Sequence, residues 1–220
     1  MSNPILSIEN FTLKKDGKLI LKEMNLTGNS EDWIEIVGRN NSGKSLLLNS
    51  IYGFHYDING RMKFMNHEFD KLNVQEWRKK IGIYSNSVPL LKDKTLRANL
   101  SIALSIQNES LEGDEYLQKI LTQLGLNEKL LQAIESLSDS EKSLAMLVRA
   151  LVTKSKLVLL DCPFRNLDKL TQRTCVEILK DYAKKNAACI LICTDEAVDY
   201  APENRKLFVL ESGVLKPIKT

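Results

Sequence analysis

The sequence predicts an α/β protein with a mostly parallel β-sheet, and three observations support this fold class. A strand pattern at residues 32–37, a glycine-containing loop at 38–45 and an apolar helical pattern from Leu46 follow one another directly. Strand and helix patterns alternate after residue 156, as in a parallel sheet covered by helices on both faces. Between residues 87 and 135 the apolar spacing is helical, which predicts a helical insertion.

Apolar alternation and turn residues predict four strands in the first third of the chain: 5–13, 18–21, 32–37 and 61–65. A turn is expected at Asp16-Gly17, because these residues tolerate tight turns, and the strand at 61–65 follows Asn59-Gly60. The helix after the glycine loop should end at Gly53. Residues 74–80 have helical spacing, and the apolar run at 81–84 indicates a short buried strand.

Helical spacing predicts four helices in the middle of the chain: 95–106, 114–124, 128–135 and 138–151. In the last third of the chain the apolar patterns predict the following elements: a strand at 156–161, a helix at 169–185, a strand at 188–194, a short helix near 196–200, a strand at 206–210 and a turn at 212–213. We expect a single domain over residues 1–220. Its core should cover about 1–86 and 152–220, and a helical subdomain about 87–151.

The composition is that of a soluble globular protein, with 43% hydrophobic and 27% charged residues among 220. The net charge of +3 is too small to indicate nucleic acid as a partner. No apolar run reaches the length of a membrane span, and residues 1–4 lack the features of a signal peptide, so we expect a cytoplasmic protein. The cysteines, at positions 162, 175, 189 and 193, form no C-x-x-C pair and are expected to be reduced thiols.

Residues 38–45 match the pattern G-x-x-x-x-G-K-[ST] of a phosphate-binding loop. In such a loop the backbone N–H groups surround nucleotide phosphates, the lysine reaches the terminal phosphates and the last hydroxyl binds Mg²⁺. The preceding strand and the following helix direct the helix N-terminus toward the anion. The predicted nucleotide-binding residues of the loop are Gly38, Arg39, Asn40, Asn41, Ser42, Gly43, Lys44 and Ser45.

Several further segments, in this order and spacing, resemble motifs of the ATP-binding subunit of ABC transporters: 77–84, 95–100, 157–161, 166–168 and 210–213. The resemblance covers nearly the whole chain. It implies the P-loop NTPase fold of the ABC ATPase type, in which a mostly parallel RecA-like core carries an antiparallel β subdomain and an inserted helical subdomain.

The resemblance also implies cofactors and partners. ATP would bind at the phosphate loop, and Mg²⁺ would be held by Ser45 and by Asp161 at the end of its strand. A second ABC subunit would form a homodimer or heterodimer with this chain, and a membrane-spanning permease would hold the pair at the inner face of the cell membrane. Nucleic acid is not an expected partner.

Three positions near the γ-phosphate depart from the family's pattern. The glutamate that polarises the attacking water is replaced by Cys162, and a thiol is a poor acceptor for a water proton. The glutamine that senses Mg²⁺ and the γ-phosphate aligns with Asn86, and the switch histidine aligns with Asp195. The aromatic residue that stacks on adenine is absent from residues 14–17. We therefore expect hydrolysis to be weak or absent.

The signature loop, which in this family caps the nucleotide of the partner subunit, also departs from its pattern. Residues 137–141 read Leu-Ser-Asp-Ser-Glu in place of Leu-Ser-Gly-Gly-Gln. Ser138 remains as a candidate phosphate donor, and it also predicts a helix N-cap that forms a capping box with Glu141. Asp139 and Glu141 would bring negative charge toward a partner's γ-phosphate.

Two alternatives to a binding subunit with weak hydrolysis follow from the same residues. In the first, the chain is an active ATPase in which Asp195 orients the attacking water in place of the missing glutamate. In the second, it is an ABC-type scaffold or regulatory protein without a role in transport. The sequence does not identify a transported substrate.

Overall fold

The computed structural model describes residues 3–55, 57–69, 73–105, 111 and 113–218. Within these residues ten strands form two sheets, and the strands are β1 (Leu6–Lys15), β2 (Lys18–Gly28), β3 (Trp33–Val37), β4 (Ile58–Phe64), β5 (His67–Glu68), β6 (Ile81–Tyr84), β7 (Leu157–Asp161), β8 (Cys189–Thr194), β9 (Lys206–Glu211) and β10 (Val214–Pro217). The α-helices are α1 (Lys44–Ile51), α2 (Val74–Lys79), α3 (Leu96–Ser105), α4 (Glu115–Gln123), α5 (Asp139–Val152) and α6 (Lys169–Asn186).

The larger sheet is mostly parallel and has the strand order β10-β9-β3-β8-β7-β6. Strands β9, β3, β8, β7 and β6 are parallel, and β10 pairs antiparallel at the edge. The smaller sheet is antiparallel and has the order β2-β1-β4-β5. The predicted mostly parallel sheet and the antiparallel β region are therefore confirmed.

The large sheet is buried on both faces, which explains the nearly continuous apolar runs of its strands. Along β8, Leu191 packs with α1 and the antiparallel sheet, whereas its neighbours Ile190 and Ile192 pack with α3, α4, α5 and α6. Side chains alternate between the two cores because successive residues of a strand point to opposite faces. None of the described helices is both long enough and apolar enough to cross a bilayer.

Helix starts follow the local sequence signals. The Ser138 hydroxyl accepts a hydrogen bond from the Glu141 N–H at 3.2 Å, and the Glu141 carboxylate accepts one from the Ser138 N–H at 2.8 Å. The predicted capping box is therefore confirmed. Asp114 and Asp168 cap α4 and α6 in the same way, through the N–H groups of residues 117 and 171.

The predicted helix at 128–135 is wrong. The structure has two short 3₁₀ turns there, Asn127–Lys129 and Ile134–Ser136, separated by a turn and bend at residues 130–132 and by Ala133, which is extended. The backbone of this stretch pairs with the chain before and at the start of α3, since the N–H of Arg97 donates to the carbonyl of Leu130 at 2.8 Å and that of Ile134 to Lys94 at 3.0 Å. These groups are thus unavailable for an α-helix.

The predicted helix at 196–200 is also wrong. Backbone groups of this segment bond to side chains instead: the Val198 N–H donates to Glu35 Oε1 at 2.5 Å, and the Val198 carbonyl accepts from Arg205 Nη1 at 3.0 Å. The strand predicted at 18–21 is longer, because β2 pairs with β1 as far as Gly28.

The strand predicted at 61–65 begins earlier, because Asn59 and Gly60 already lie inside β4, opposite an irregularity in β1. The last residue of the helix predicted at 95–106 lies outside the described residues. The subdomain limits near residues 86 and 152 stay a prediction.

Gly82 allows α5 to pack closely on β6. A Cβ at this position would lie 2.1 Å from the carbonyl oxygen of Ala150. Because the obstacle is backbone, α5 has to shift to accept a side chain. Gly82→Ala is expected to lower the free energy of unfolding by about 3 kcal/mol, measured by denaturant titration.

Gly17→Ala is the matched control, since a Cβ there has no atom within 4 Å and the cost comes only from a backbone φ of 73°. Its expected loss is about 1 kcal/mol. Equal losses for the two variants would contradict the close packing of α5 on β6.

Candidate functional site

The candidate site lies where three neighbouring parallel strands, β3, β8 and β7, reach their carboxyl ends. The sheet pairing continues into the loops, because the Gly38 N–H donates to the carbonyl of Thr194 at 3.2 Å and the Cys162 N–H to that of Cys193 at 2.8 Å. These bonds bring the glycine loop after β3, the segment after β8 and the turn after β7 to one edge. Loops at this edge of a parallel sheet commonly form ligand sites.

The glycine loop has the backbone shape of an anion-binding concavity. Asn41 and Gly43 have φ values of 64° and 105°, and α1 begins directly afterwards. Alternation of left- and right-handed residues turns successive N–H groups inward. Two hydroxyl oxygens, Ser42 Oγ in the loop and Thr194 Oγ1 at the end of β8, are buried without a hydrogen-bond partner in the described part of the chain. The loop therefore offers polar groups that a bound phosphate could satisfy.

Lys44 lies at the centre of the site and is 5% exposed. Its Nζ donates to the carbonyls of Gly38 at 2.6 Å and Arg39 at 2.9 Å. It also lies 3.2 Å from Asp195 Oδ1. A lysine ammonium has three hydrogens to donate, so the charge of Lys44 is fully engaged within the chain.

Asp195 bridges two cations. While Oδ1 faces Lys44, Oδ2 accepts a hydrogen bond from Arg165 Nη2 at 2.8 Å. The bond from Arg165, with the nearby Lys44, lowers the pKa of the Asp195 carboxyl below its usual range. Asp195 is therefore a carboxylate at neutral pH and a weak proton acceptor. Sequence reasoning missed Arg165, although an acidic and a basic residue in two loops at the same edge of the predicted sheet are a usable signal for an ion pair.

Asp161 and Cys162 follow each other at the end of β7. Asp161 pairs in register with Cys193 of β8 and is half-buried. Helix α1 packs against β7 and carries the exposed Ser45 in its first turn. Burial, reinforced by the negative charges of Asp161 and Asp195, raises the pKa of the Cys162 thiol to about 11. Cys162 is therefore a neutral thiol at physiological pH. Its φ of 51° is unusual for a residue other than glycine.

Glu35 is a second residue that sequence reasoning missed, and it supports the site from within the sheet. It lies in the middle of β3 and is fully buried, and burial raises its pKa. Besides accepting the Val198 N–H, it lies 3.5 Å from Arg205 Nε. The pair Glu35–Arg205 thus fixes the segment that follows Asp195. A single charged residue within an apolar strand pattern was the available signal.

Comparison with known proteins shows which family uses this arrangement. The family model of the ABC transporter matches residues 21–165, more than half of the chain. The chain belongs to the ABC transporter family. It is 32% identical to an uncharacterized ABC transporter ATP-binding protein, YlmA, of Bacillus subtilis (strain 168), over 95% of this chain and 83% of that protein.

A second relative of this ABC subunit is the lipoprotein-releasing system ATP-binding protein LolD of Rickettsia felis. The two are 31% identical over 98% of this chain and 99% of that protein. Among solved structures, the dimeric structure of a bacterial ABC transporter cassette superposes with a TM-score of 0.84 at 21% identity, over 98% of this chain and 99% of that one. The expected ATP-binding subunit of an ABC transporter and its cassette fold are therefore confirmed.

Two other predicted site positions of this ABC subunit are shaped by local bonds. Asn86 is exposed in the turn after β6, and Asn49 of α1 holds its neighbours, with 3.4 Å to the Ser85 hydroxyl and 2.9 Å to the Ser87 hydroxyl. Ser138 uses its hydroxyl to cap α5, as described above. The structure therefore places Asn86 beside α1, the helix that follows the phosphate loop, and places Ser138 at the start of α5.

The raised pKa of Cys162 predicts slow alkylation at neutral pH. Because only the thiolate reacts, the rate of carbamidomethylation of Cys162 should rise about tenfold per pH unit between pH 7.5 and 9.5. Mass spectrometry of iodoacetamide-treated protein measures the rate. Cys162→Ser should abolish the labelling, since the other three cysteines are buried. A rate that levels off below pH 9 would contradict a pKa of about 11.

Proposed function

We propose that this chain binds Mg·ATP at residues 38–45 and works as a binding subunit of an ABC transporter in which its own site hydrolyses ATP weakly or not at all. The observation that carries the proposal is the contrast between two adjacent residues. Asp161, an oxygen ligand for the ion, stands at the end of β7, whereas the next residue, Cys162, is a neutral thiol.

The residues present fit a magnesium nucleotide. The buried hydroxyl of Ser42 without a partner, the left-handed turns of the loop and the ammonium of Lys44 suit phosphate oxygens. The Ser45 hydroxyl and the Asp161 carboxylate are the hard oxygen ligands that Mg²⁺ prefers. Bound Mg²⁺ would neutralise charge on the phosphates.

Hydrolysis needs a group that orients and deprotonates water near the γ-phosphate. Such a group contributes about 10²–10⁴-fold to a rate. Neither the Cys162 thiol nor the exposed Asn86 amide is a base at neutral pH, and Asp195 adds negative charge where the family has a histidine. The absence of the family's glutamate carboxylate at position 162 supports ATP binding without efficient cleavage.

Partners and location complete the proposal. A second ABC subunit, identical or different, would pair with this chain, and a permease would hold the dimer at the cytoplasmic face of the cell membrane. One relative, LolD, is named as the ATP-binding protein of a lipoprotein-releasing system, and this name supports a transport role for this chain. In a heterodimer, the partner's nucleotide would meet the acidic signature segment with Asp139 and Glu141 of this chain.

The relocated-carboxylate alternative has one observation in its favour, which is that Asp195 lies 3.2 Å from Lys44 in the site. Against it, both oxygens of Asp195 are paired with cations and its pKa is lowered. A carboxylate with a lowered pKa accepts a proton from water less readily. We therefore favour the binding subunit.

Restoring the missing base should restore cleavage. Cys162→Glu is expected to raise the single-turnover rate of Mg·ATP hydrolysis on the order of 10²-fold or more. Cys162→Ser, which removes the thiol without adding a base, serves as the control and should leave the rate unchanged. Fast wild-type turnover that disappears in Asp195→Ala would instead establish the relocated carboxylate.

Nucleotide binding itself should depend on Lys44. Lys44→Met removes a charge-assisted hydrogen bond to phosphate and leaves Asp195 facing the nucleotide, so equilibrium dialysis should show an ATP affinity at least about tenfold lower. Lys169→Met, which removes an exposed lysine paired with Asp199, is the control and should bind as the wild type does. Equal affinity of the wild type and Lys44→Met would refute binding at this loop.

A further inference from the structure

The ion pair between Lys44 and Asp195 places a carboxylate in competition with bound phosphate. Two of the three hydrogens of Lys44 go to carbonyl oxygens of its own loop, at Gly38 and Arg39. These acceptors are part of the fixed backbone. Asp195 is the partner that can move, because its side chain is 39% exposed and lies on an irregular segment. A phosphate oxygen that binds Lys44 therefore displaces Asp195.

Arg165 gives the displaced carboxylate a second place to stay. Its guanidinium already holds the other oxygen of Asp195 at 2.8 Å, and its side chain is 57% exposed. Asp195 can therefore leave Lys44 without losing every cationic partner. It then remains as a negative charge at the carboxyl ends of β7 and β8.

The charge that remains acts unequally on different nucleotides. Ser45 and Asp161 would hold Mg²⁺, which would neutralise charge on the terminal phosphates. Because Asp161 ends β7 beside the carboxyl end of β8, a γ-phosphate next to this ion would lie near the edge that carries Asp195 and the neutral Cys162. A diphosphate lacks this group, so it meets the competition at Lys44 but less of the repulsion.

We propose that Asp195 is a specificity-determining residue that shifts this site toward nucleoside diphosphate and against nucleoside triphosphate. The inference rests on the proposed function, since it requires nucleotide at residues 38–45. It goes beyond weak hydrolysis because it concerns equilibrium affinity. Asp195 sets the ratio of the two affinities, and Arg165 moderates the effect by sharing its charge.

The test is the ratio of the dissociation constants for ADP and for the non-hydrolysable β,γ-imido analogue of ATP, both measured with Mg²⁺ by isothermal titration calorimetry. Asp195→Asn keeps the shape and removes the charge. It is expected to increase affinity for the triphosphate analogue about tenfold and affinity for ADP less than about threefold. Asp195→Glu keeps the charge and should keep the wild-type ratio.

Asp199→Asn is the matched control, because it removes a carboxylate from the same segment that pairs with Lys169 instead of Lys44. The change in ratio should also shrink in 1 M salt, where charges are screened within about 3 Å. A shift caused only by altered packing would not respond to salt in this way.

Arg165→Gln provides an independent variant of an exposed side chain. Of the two cations that pair with Asp195, this variant keeps only Lys44. Because Arg165 no longer shares the charge of Asp195, affinity for the triphosphate analogue should fall severalfold. The double variant Arg165→Gln/Asp195→Asn should lose this effect.

The possible results distinguish the role of Asp195 from nucleotide binding at residues 38–45. A shifted ratio in Asp195→Asn, retained by Asp195→Glu and absent from Asp199→Asn, supports the role of Asp195. If the wild type binds both nucleotides and Asp195→Asn changes both affinities equally or not at all, the role of Asp195 is refuted and the proposed function stands. If wild type and variants bind neither nucleotide, both are refuted.

Discussion

The parallel pairing of β3, β8 and β7 is the constraint on which the rest of the site depends. Two backbone hydrogen bonds beyond the regular strands, from Gly38 to Thr194 and from Cys162 to Cys193, fix three loops side by side. The phosphate loop, the segment of Asp195 and the turn of Arg165 are thereby held next to one another. The buried cores on both faces of the sheet hold this edge in place, and the chemistry of the site is decided by a few side chains placed on it.

Those side chains form a balanced set of charges rather than an open cation. Lys44 and Arg165 share the carboxylate of Asp195, while Asp161 adds a second carboxyl group at the end of β7 and Cys162 stays neutral. In the family pattern the same edge carries a glutamate and a histidine. We propose that this chain keeps the groups that hold phosphate and metal and lacks the groups that act on the γ-phosphate, so that it binds ATP without cleaving it efficiently.

The order of strands and helices, the phosphate loop and the capping box at Ser138 could be predicted from sequence, because each depends on local spacing and local hydrogen bonds. The failures share one cause. Residues 128–135 and 196–200 have helical spacing, but their backbone groups bond to distant partners, the chain around α3 in one case and Glu35 with Arg205 in the other. Likewise, the contact of Arg165 with Asp195 joins residues 30 positions apart, and no local pattern encodes it.

If the proposed function is right, ATP binds at this loop and stays intact. Mixing a small amount of γ-labelled Mg·ATP with excess wild-type protein, and following both bound nucleotide and released phosphate, measures the two properties in one sample. Kinases, which cleave the same phosphoanhydride bond, turn over at about 1–100 s⁻¹, and loss of the water-orienting base costs about 10²–10⁴-fold. We expect bound ATP with a cleavage rate constant below about 1 s⁻¹. Cleavage of bound ATP faster than about 1 s⁻¹, or the absence of bound ATP, would contradict the proposed function.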